Sequence, residues 1–418
     1  MSMTDSSDTS LPRFQSLLVV RLSSMGDIIH TLPAAAALRH AFPHATLGWL
    51  VEERWAELLC ALRYPRSGRR SLERPLVDRV HTVNLSAWRR ALISVNTWQQ
   101  VAAALSEVRG VKYDAAIDFQ GAVRSALLAR WSGAATVYGD AHPRENAASM
   151  FYTRQYESHG KHVVEQALDL ASKVIGETGN RVGETLETEA PLPQQVAEKF
   201  DFGYRSAFSA AIKPSFSAGA LAPEVTRPSF SANCQPQFPI DPDAEKKIAH
   251  LAAGIDKFAI LNPGAGWGAK QWPAERYGAV AKELANDGIC SLINFGPGEE
   301  TLTRTVEQTS EGAARKIECS LAELIALTRR ARLMIGGDTG PMHLAAALNV
   351  PVVAIFGPTD PARNGPFGTR SIVLRSATSL TDHSRHREPE QGLLSITTEE
   401  VSAAARKLLR ESGKAPCA

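Results

Sequence analysis

No stretch of this chain approaches the ~18–20 consecutive apolar residues that a membrane-spanning helix needs, so any meeting with a membrane is expected at its surface. The first residues, Met1 to Pro12, are rich in Ser, Thr and Asp without an apolar centre, which suits neither a signal peptide nor an anchor. Cysteine is sparse. Cys60, Cys234, Cys290, Cys319 and Cys417 are odd in number, far apart, and lack the paired spacing of a zinc site or redox motif. Reduced thiols in a cytoplasmic protein are the simplest reading, with no metal and no cofactor expected. An excess of one charge is also missing: a formal net charge of +2 over 418 residues is too small to imply nucleic acid, and no basic region interleaved with base-stacking aromatics covers a domain. Neither the P-loop spacing nor the GxGxxG dinucleotide pattern occurs, which makes a dehydrogenase the weakest of the enzymatic alternatives.

What is present is enough for two cores. The chain is 44% hydrophobic, and single domains commonly run to about 100–200 residues. Strand and helix signals alternate from a first strand at 16–20, through a helix at 28–41, to a strand at 46–51, with later strands near 80–83, 115–119 and 136–138 and an amphipathic helix near 162–175. This βαβ start predicts a parallel, doubly wound sheet. Residues 201–239 change to Ser, Ala, Pro and Phe without either period, as a linker or insertion does. The same grammar then returns, with strands at 258–261 and 289–295, helices at 273–285 and 321–329, and a capped amphipathic helix from about 397. The expected division is a disordered 1–13, an N-terminal domain at 14–200, the linker at 201–239, a C-terminal domain at 240–396, and a helix and tail at 397–418. The expected fold is α/β, with two Rossmann-like doubly wound parallel-sheet domains facing a ligand cleft.

Three turns carry the chemistry. Gly336-Gly337-Asp338-Thr339-Gly340-Pro341 separates a strand from a helix through His343. Proline suits a first helical turn, Asp338 or Thr339 can cap it, and the free amides attract phosphate. Asn262-Pro263-Gly264-Ala265-Gly266-Trp267-Gly268-Ala269-Lys270 is a glycine-rich loop bringing one lysine to a helix start. With the helix at Asp338, it offers a diphosphate two sources of positive potential without a metal. Arg21-Leu22-Ser23-Ser24-Met25-Gly26-Asp27 places a carboxylate at the end of the first strand. Two readings stand for Asp27: a helix cap, or a general base whose pKa is raised by burial in a closed cleft.

These turns, with the segments 28–33 and 271–273 and Phe356-Gly357-Pro358-Thr359-Asp360-Pro361, resemble glycosyltransferase family 9 in the same order across both halves, and the first motif is most similar to its lipopolysaccharide heptosyltransferase I branch. The resemblance implies a GT-B fold and inverting, metal-free transfer of heptose from ADP-heptose to a Kdo residue of the lipid A core, on the cytoplasmic face of an anionic membrane. It makes Asp27 the base and Lys270 the stabiliser of the departing diphosphate. Gly266, Asp338, Thr339, Gly340 and His343 then shape the donor site, and either Glu299 or Glu300 approaches the nucleoside. Ser24, Arg89, Arg90, Gln120 and Arg144 would face the acceptor.

Blander readings accompany some of these: a cap for Asp338, a satisfied core histidine for His343, solvated arginines for Arg89 and Arg90. Where some members carry hydroxyl residues in the donor loop, this chain has Ala265-Gly266. It also has a basic insertion with Arg63, Arg66, Arg69, Arg70 and Arg74, read as a solvated loop or a lipid contact, and a long interdomain segment. The run from Asp382 to Glu390, with His383, Arg385, His386 and Arg387, has the residue types for metal or phosphate but reads first as a solvated loop. The alternatives are another nucleotide sugar or glycan acceptor on the same fold, or a non-catalytic binding protein.

Overall fold

The computed structural model describes residues 14–91, 93–179, 234–382 and 384–412. The expectations for 1–13 and for 201–233, and His383, lie outside the described residues. In the first half the elements run β1 (Ser16–Val20), α1 (Met25–Ala41), β2 (Thr46–Glu52), β3 (Arg79–Val83), α2 (Leu85–Arg90), α3 (Val95–Val111), β4 (Ala115–Asp118), α4 (Val123–Trp131), β5 (Thr136–Asp140), β6 (Arg154–Tyr156) and α5 (Val163–Gly179). The second half runs α6 (Pro242–Leu251), β7 (Phe258–Asn262), α7 (Ala274–Asn286), β8 (Cys290–Asn294), α8 (Glu300–Thr309), β9 (Ala314–Ile317), α9 (Leu321–Arg330), β10 (Leu333–Gly337), α10 (Gly340–Ala347), β11 (Val352–Phe356), α11 (Pro361–Asn364), β12 (Ser371–Arg375), α12 (Gln391–Ser395) and α13 (Thr398–Ser412).

Each half forms a six-stranded sheet, ordered β3-β2-β1-β4-β5-β6 and β12-β11-β10-β7-β8-β9, with every pairing parallel. Counted within each half, both follow the doubly wound order 3-2-1-4-5-6. The strand order therefore reverses between β1 and β4, where Val20 lies opposite Asp118, and between β7 and β10, where Asn262 lies opposite Gly336. Ligands of open α/β sheets bind beyond the carboxyl ends of the strands at these two places.

Buried strands explain the continuous apolar runs: all five residues of β1, β7, β10 and β11 are buried. Helix α1 is buried on every side from Ile28 to Arg39, as a helix must be when it has packing partners all round. It lies against α5 of its own domain and α10 of the other. One apolar cluster accordingly runs through both, joining Ile28, Leu32 and Leu170 to Leu344, Ile325 and Leu324. The last helix, α13, packs Val401, Ala404, Ala405 and Leu408 into the second sheet's core.

The basic insertion is hydrogen-bonded in place, with Arg74 buried, while Arg63, Arg69 and Arg70 stay exposed at its surface. Arg74 is fully buried and donates to the carbonyls of Pro65, Arg69 and Val77. Arg66 pairs with Glu53, Arg70 lies 3.7 Å from Asp78, and Arg63 reaches Asp243 of the second half at 3.0 Å. Ile240 N–H donates to the Leu72 carbonyl. These arginines tie the insertion to itself and to the start of the second domain. Residues 384–388 are exposed, as a solvated loop is, but the backbone of the segment is engaged: Ala269 N–H donates to the His386 carbonyl, and a Cβ on Gly268 would fall 1.6 Å from the Arg387 carbonyl oxygen. It braces the turn that carries Lys270.

Candidate active site

Four loops, one from each side of both reversal points, converge on one cleft of about 1010 Å³. From the first domain come the loop after β1, with Arg21, Ser24 and Asp27, and the loop after β4, with Gln120. From the second come the loop after β7, with Trp267 and Lys270, and the loop after β10, with Asp338, Thr339, Gly340 and His343.

Asp27 stands in the first turn of α1. Its Oδ2 accepts from the Ser24 backbone N–H at 2.9 Å and the Ser24 hydroxyl at 3.0 Å, and its Oδ1 lies 2.8 Å from Arg21 Nη2. The expectation that burial raises its pKa is corrected here. Burial does work upward, but the Arg21 charge and the Ser24 donors outweigh it, so the carboxyl sits below its ordinary value. The cap reading is part of the same geometry, since Asp27 satisfies the Ser24 N–H ahead of the helix.

In the second domain Lys270 ends a short 3-10 turn, Gly268–Lys270. Its Nζ lies 2.5 Å from Asp338 Oδ2, 3.2 Å from the Asp338 carbonyl, and 4.2 Å above the Trp267 ring. Asp338 does not cap α10, where Thr339 is the N-cap. Instead its Oδ1 receives His343 Nε2 at 3.0 Å. Although burial pushes the Asp338 carboxyl up, His343 and Lys270 together hold it far below the usual range.

The helix starts of α1 and α10 abut. A Cβ on Gly26 would fall 2.7 Å from His343 Cδ2, and one on Gly340 would fall 2.6 Å from Met25 Sδ. Only glycines permit that approach.

On the acceptor side, Gln120 Oε1 accepts from Leu22 N–H at 2.8 Å, and Ser24 and Arg144 line the cleft. Gly121 adopts φ +65, and its backbone passes so near Arg144 that a Cβ would lie 2.9 Å from the Arg144 nitrogen. Arg144 and Arg363 line the cleft without an ion-pair partner among the described residues. Arg89 and Arg90 are not brought to the cleft; they end α2 as exposed side chains.

Glu299 accepts Gly296 N–H at 2.8 Å and lies over Gly264 in the Lys270 loop, whereas Glu300 is turned to the Gly298 N–H at 3.1 Å. Gly266 has open space above its Cα. Sequence reasoning assigned no role to Arg21, His30, Arg363 or Arg385. Of these, Arg21 directly follows the β1 run, His30 lies in the motif after it, and Arg385 sits in the basic run read as a solvated loop.

Two doubly wound parallel domains whose reversal points face one cleft define the GT-B class of glycosyltransferase. Within that class the chain belongs to glycosyltransferase family 9, the heptosyltransferase family, whose model matches residues 101–218 and 220–393. It is 29% identical over 368 residues to lipopolysaccharide heptosyltransferase 1 of Pseudomonas aeruginosa, covering 86% of this chain and 83% of that protein. It is 26% identical over 364 residues to the Escherichia coli K12 protein of the same name, covering 86% and 93%. Among solved structures, the E. coli heptosyltransferase WaaC with ADP superposes with a TM-score of 0.62 at 24% identity, over 95% of this chain and 99% of that one. WaaC has also been solved with ADP-2-deoxy-2-fluoro heptose, which matches at a TM-score of 0.62 and 23% identity over 94% and 99% of the two chains. At these identities the structural likeness speaks to the fold.

Proposed function

We propose that this protein is an inverting glycosyltransferase that moves L-glycero-D-manno-heptose from ADP-heptose to a Kdo residue of the lipid A inner core, at the cytoplasmic surface of an anionic membrane. The observation that carries this reading is the meeting of Asp27 from one domain with the Lys270–Asp338 pair from the other on a single cleft. The names of the relatives support heptose as the sugar and lipopolysaccharide as the product's class.

In this reading Asp27, a carboxylate throughout the neutral range, takes the proton of the acceptor hydroxyl as its oxygen attacks the anomeric carbon. The bond from that carbon to the diphosphate oxygen breaks on the opposite face, and ADP leaves with the electron pair. Lys270 Nζ and the amides of Thr339 and Gly340 receive the developing charge. Trp267 keeps the lysine in place from below. Gly266 allows close approach of the donor, Glu299 faces the nucleoside, and Asp338 and His343 hold the lysine and the helix start. Ser24, Gln120 and Arg144 meet the acceptor, whose carboxylate and phosphates suit an arginine fork.

Arg89 and Arg90 then belong to a surface that meets the membrane. They precede Ile93, Val95 and Trp98, which are 99%, 72% and 58% exposed. This tip follows β3 at the same carboxyl edge of the sheet as the cleft. Basic residues beside exposed apolar and indole side chains are the composition of an interfacial contact.

The test is incubation of the protein with ADP-heptose and Kdo-lipid A in the presence of EDTA, reading ADP release and the acceptor's mass. A gain of one heptose with equal ADP supports the reading. ADP binding without a mass gain refutes the acceptor, and absence of ADP binding refutes the nucleotide-sugar reading.

A further inference from the structure

We infer that His30 is a positioning residue for the donor pocket, setting the tautomer of His343 and through it the Asp338–Lys270 pair across the domain boundary. The inference rests on the proposal that Lys270 receives the donor diphosphate. His30 lies on α1, nearly one turn beyond Asp27, and its Nε2 is 3.0 Å from His343 Nδ1. From there the chain of contacts runs His343 Nε2 to Asp338 Oδ1 at 3.0 Å and Asp338 Oδ2 to Lys270 Nζ at 2.5 Å.

Proton placement along this chain is determined by its ends. An ionised Asp338 only accepts, so the hydrogen on its contact with His343 belongs to Nε2. A neutral His343 therefore presents a lone pair at Nδ1 and needs a donor there. His30 is held neutral, well below its ordinary pKa, above all by its burial. It has one N–H to give, and Nε2 is where it is used. Its Nδ1 has no partner among the described residues, and in this tautomer that orphan is a lone pair rather than a buried N–H. The opposite arrangement requires a cationic His343 and leaves a buried donor unpaired, which costs more.

The consequence is that the helix carrying Asp27 also orients the counter-ion of Lys270. Acceptor-side and donor-side chemistry are thereby held in one register by a contact between residues 313 positions apart.

The test compares His30→Leu with His30→Gln, whose amide N–H reaches toward the position of the imidazole Nε2. The Leu variant is expected to raise the ADP Kd and the donor KM about tenfold, as for neighbours in one hydrogen-bond network, with the acceptor KM within about twofold. The Gln variant is expected to restore most of the loss, and His30→Leu should add nothing in a His343→Leu background. Equal ADP affinity of the Leu and Gln variants, or additivity with His343→Leu, overturns the proposal; if the Leu variant does not fold, His30→Met carries the same comparison. Ring ¹⁵N shifts of His343 give a readout independent of activity. They should show hydrogen on Nε2 and a bare Nδ1 in the wild-type protein and a changed state in His30→Leu. A cationic or Nδ1–H His343 in the wild-type protein overturns the inference. The expected shifts in a protein that binds no ADP would overturn the functional reading instead.

Discussion

Replacing Arg21 by Met is expected to shift the acid limb of the pH–rate profile upward. Asp27 feels three influences: burial, which favours the protonated acid; the Arg21 guanidinium at 2.8 Å; and the two Ser24 donors. An opposite charge within ~4–6 Å lowers a carboxyl pKa by about 1–3 units. Without Arg21, burial is opposed by Ser24 alone, and the pKa should rise by roughly that amount.

The sign follows from the form that reacts. Transfer needs the carboxylate, and in the wild-type protein its pKa lies below the ordinary 3.8, so the rate should be flat from about pH 5 to 8. In the variant it should fall several-fold toward pH 5, while at pH 8 the more basic carboxylate accepts a proton at least as well. Acceptor kcat/KM, measured by ADP release from pH 4.5 to 9 with saturating donor, reads this directly. Arg21 also donates to the Phe119 carbonyl, so Arg21→Lys, which keeps the charge, and a thermal melt serve as controls. Asp27→Asn should lose about 10²–10⁴ in rate. An unmoved or lowered limb in Arg21→Met, or a rate kept by Asp27→Asn, refutes the reasoning.

Lys270→Ala removes one charged donor and should weaken ADP binding about 10–150-fold, measured by calorimetry; unchanged affinity would remove Lys270 from the diphosphate site. Gly26→Ala places a methyl 2.7 Å from the His343 ring at a position where alanine suits the helix. Overpacking costs about 1–3 kcal/mol, offset only in part by alanine's helix preference, so ADP affinity should drop and the melting temperature should fall by a few degrees. Asp338 has a depressed pKa, so its contribution to stability is present above about pH 4 and is lost as the pH falls further. Melting temperatures of wild type and Asp338→Asn should therefore differ at neutral pH and converge in acid. Ile93→Ser with Val95→Ser should reduce sedimentation with anionic vesicles several-fold, leaving turnover of detergent-dispersed acceptor unchanged.

The central strands were legible because burial on both faces writes itself as an unbroken apolar run, as in Leu17 to Val20 or Val352 to Phe356. Of the four described edge strands, only Arg79–Val83 was legible. Arg154–Tyr156 and Ala314–Ile317 are partly solvated and carry no apolar run from which to assign a strand. In the site, Asp27, Lys270 and Asp338 announced themselves by glycines and prolines at strand ends, a local signal. What those residues do to one another was hidden. Phe119, to which Arg21 donates, is 98 residues away, and His30 meets His343 across 313; no periodicity reports such pairs. Trp88-Arg89-Arg90 showed the converse limit, since a basic segment of the right type lies outside the cleft.

The abutting starts of α1 and α10 give domain closure a preference for charge. Each helix start carries roughly half a positive elementary charge. Asp27 and Asp338 cancel little of it, because each is already engaged by a cation, Arg21 or Lys270. Pressing the two starts together is thus opposed by their own field until something negative enters between them. A diphosphate relieves that opposition and a neutral sugar does not, so closure favours a ligand that carries the diphosphate over a free sugar before any hydroxyl of the sugar is read.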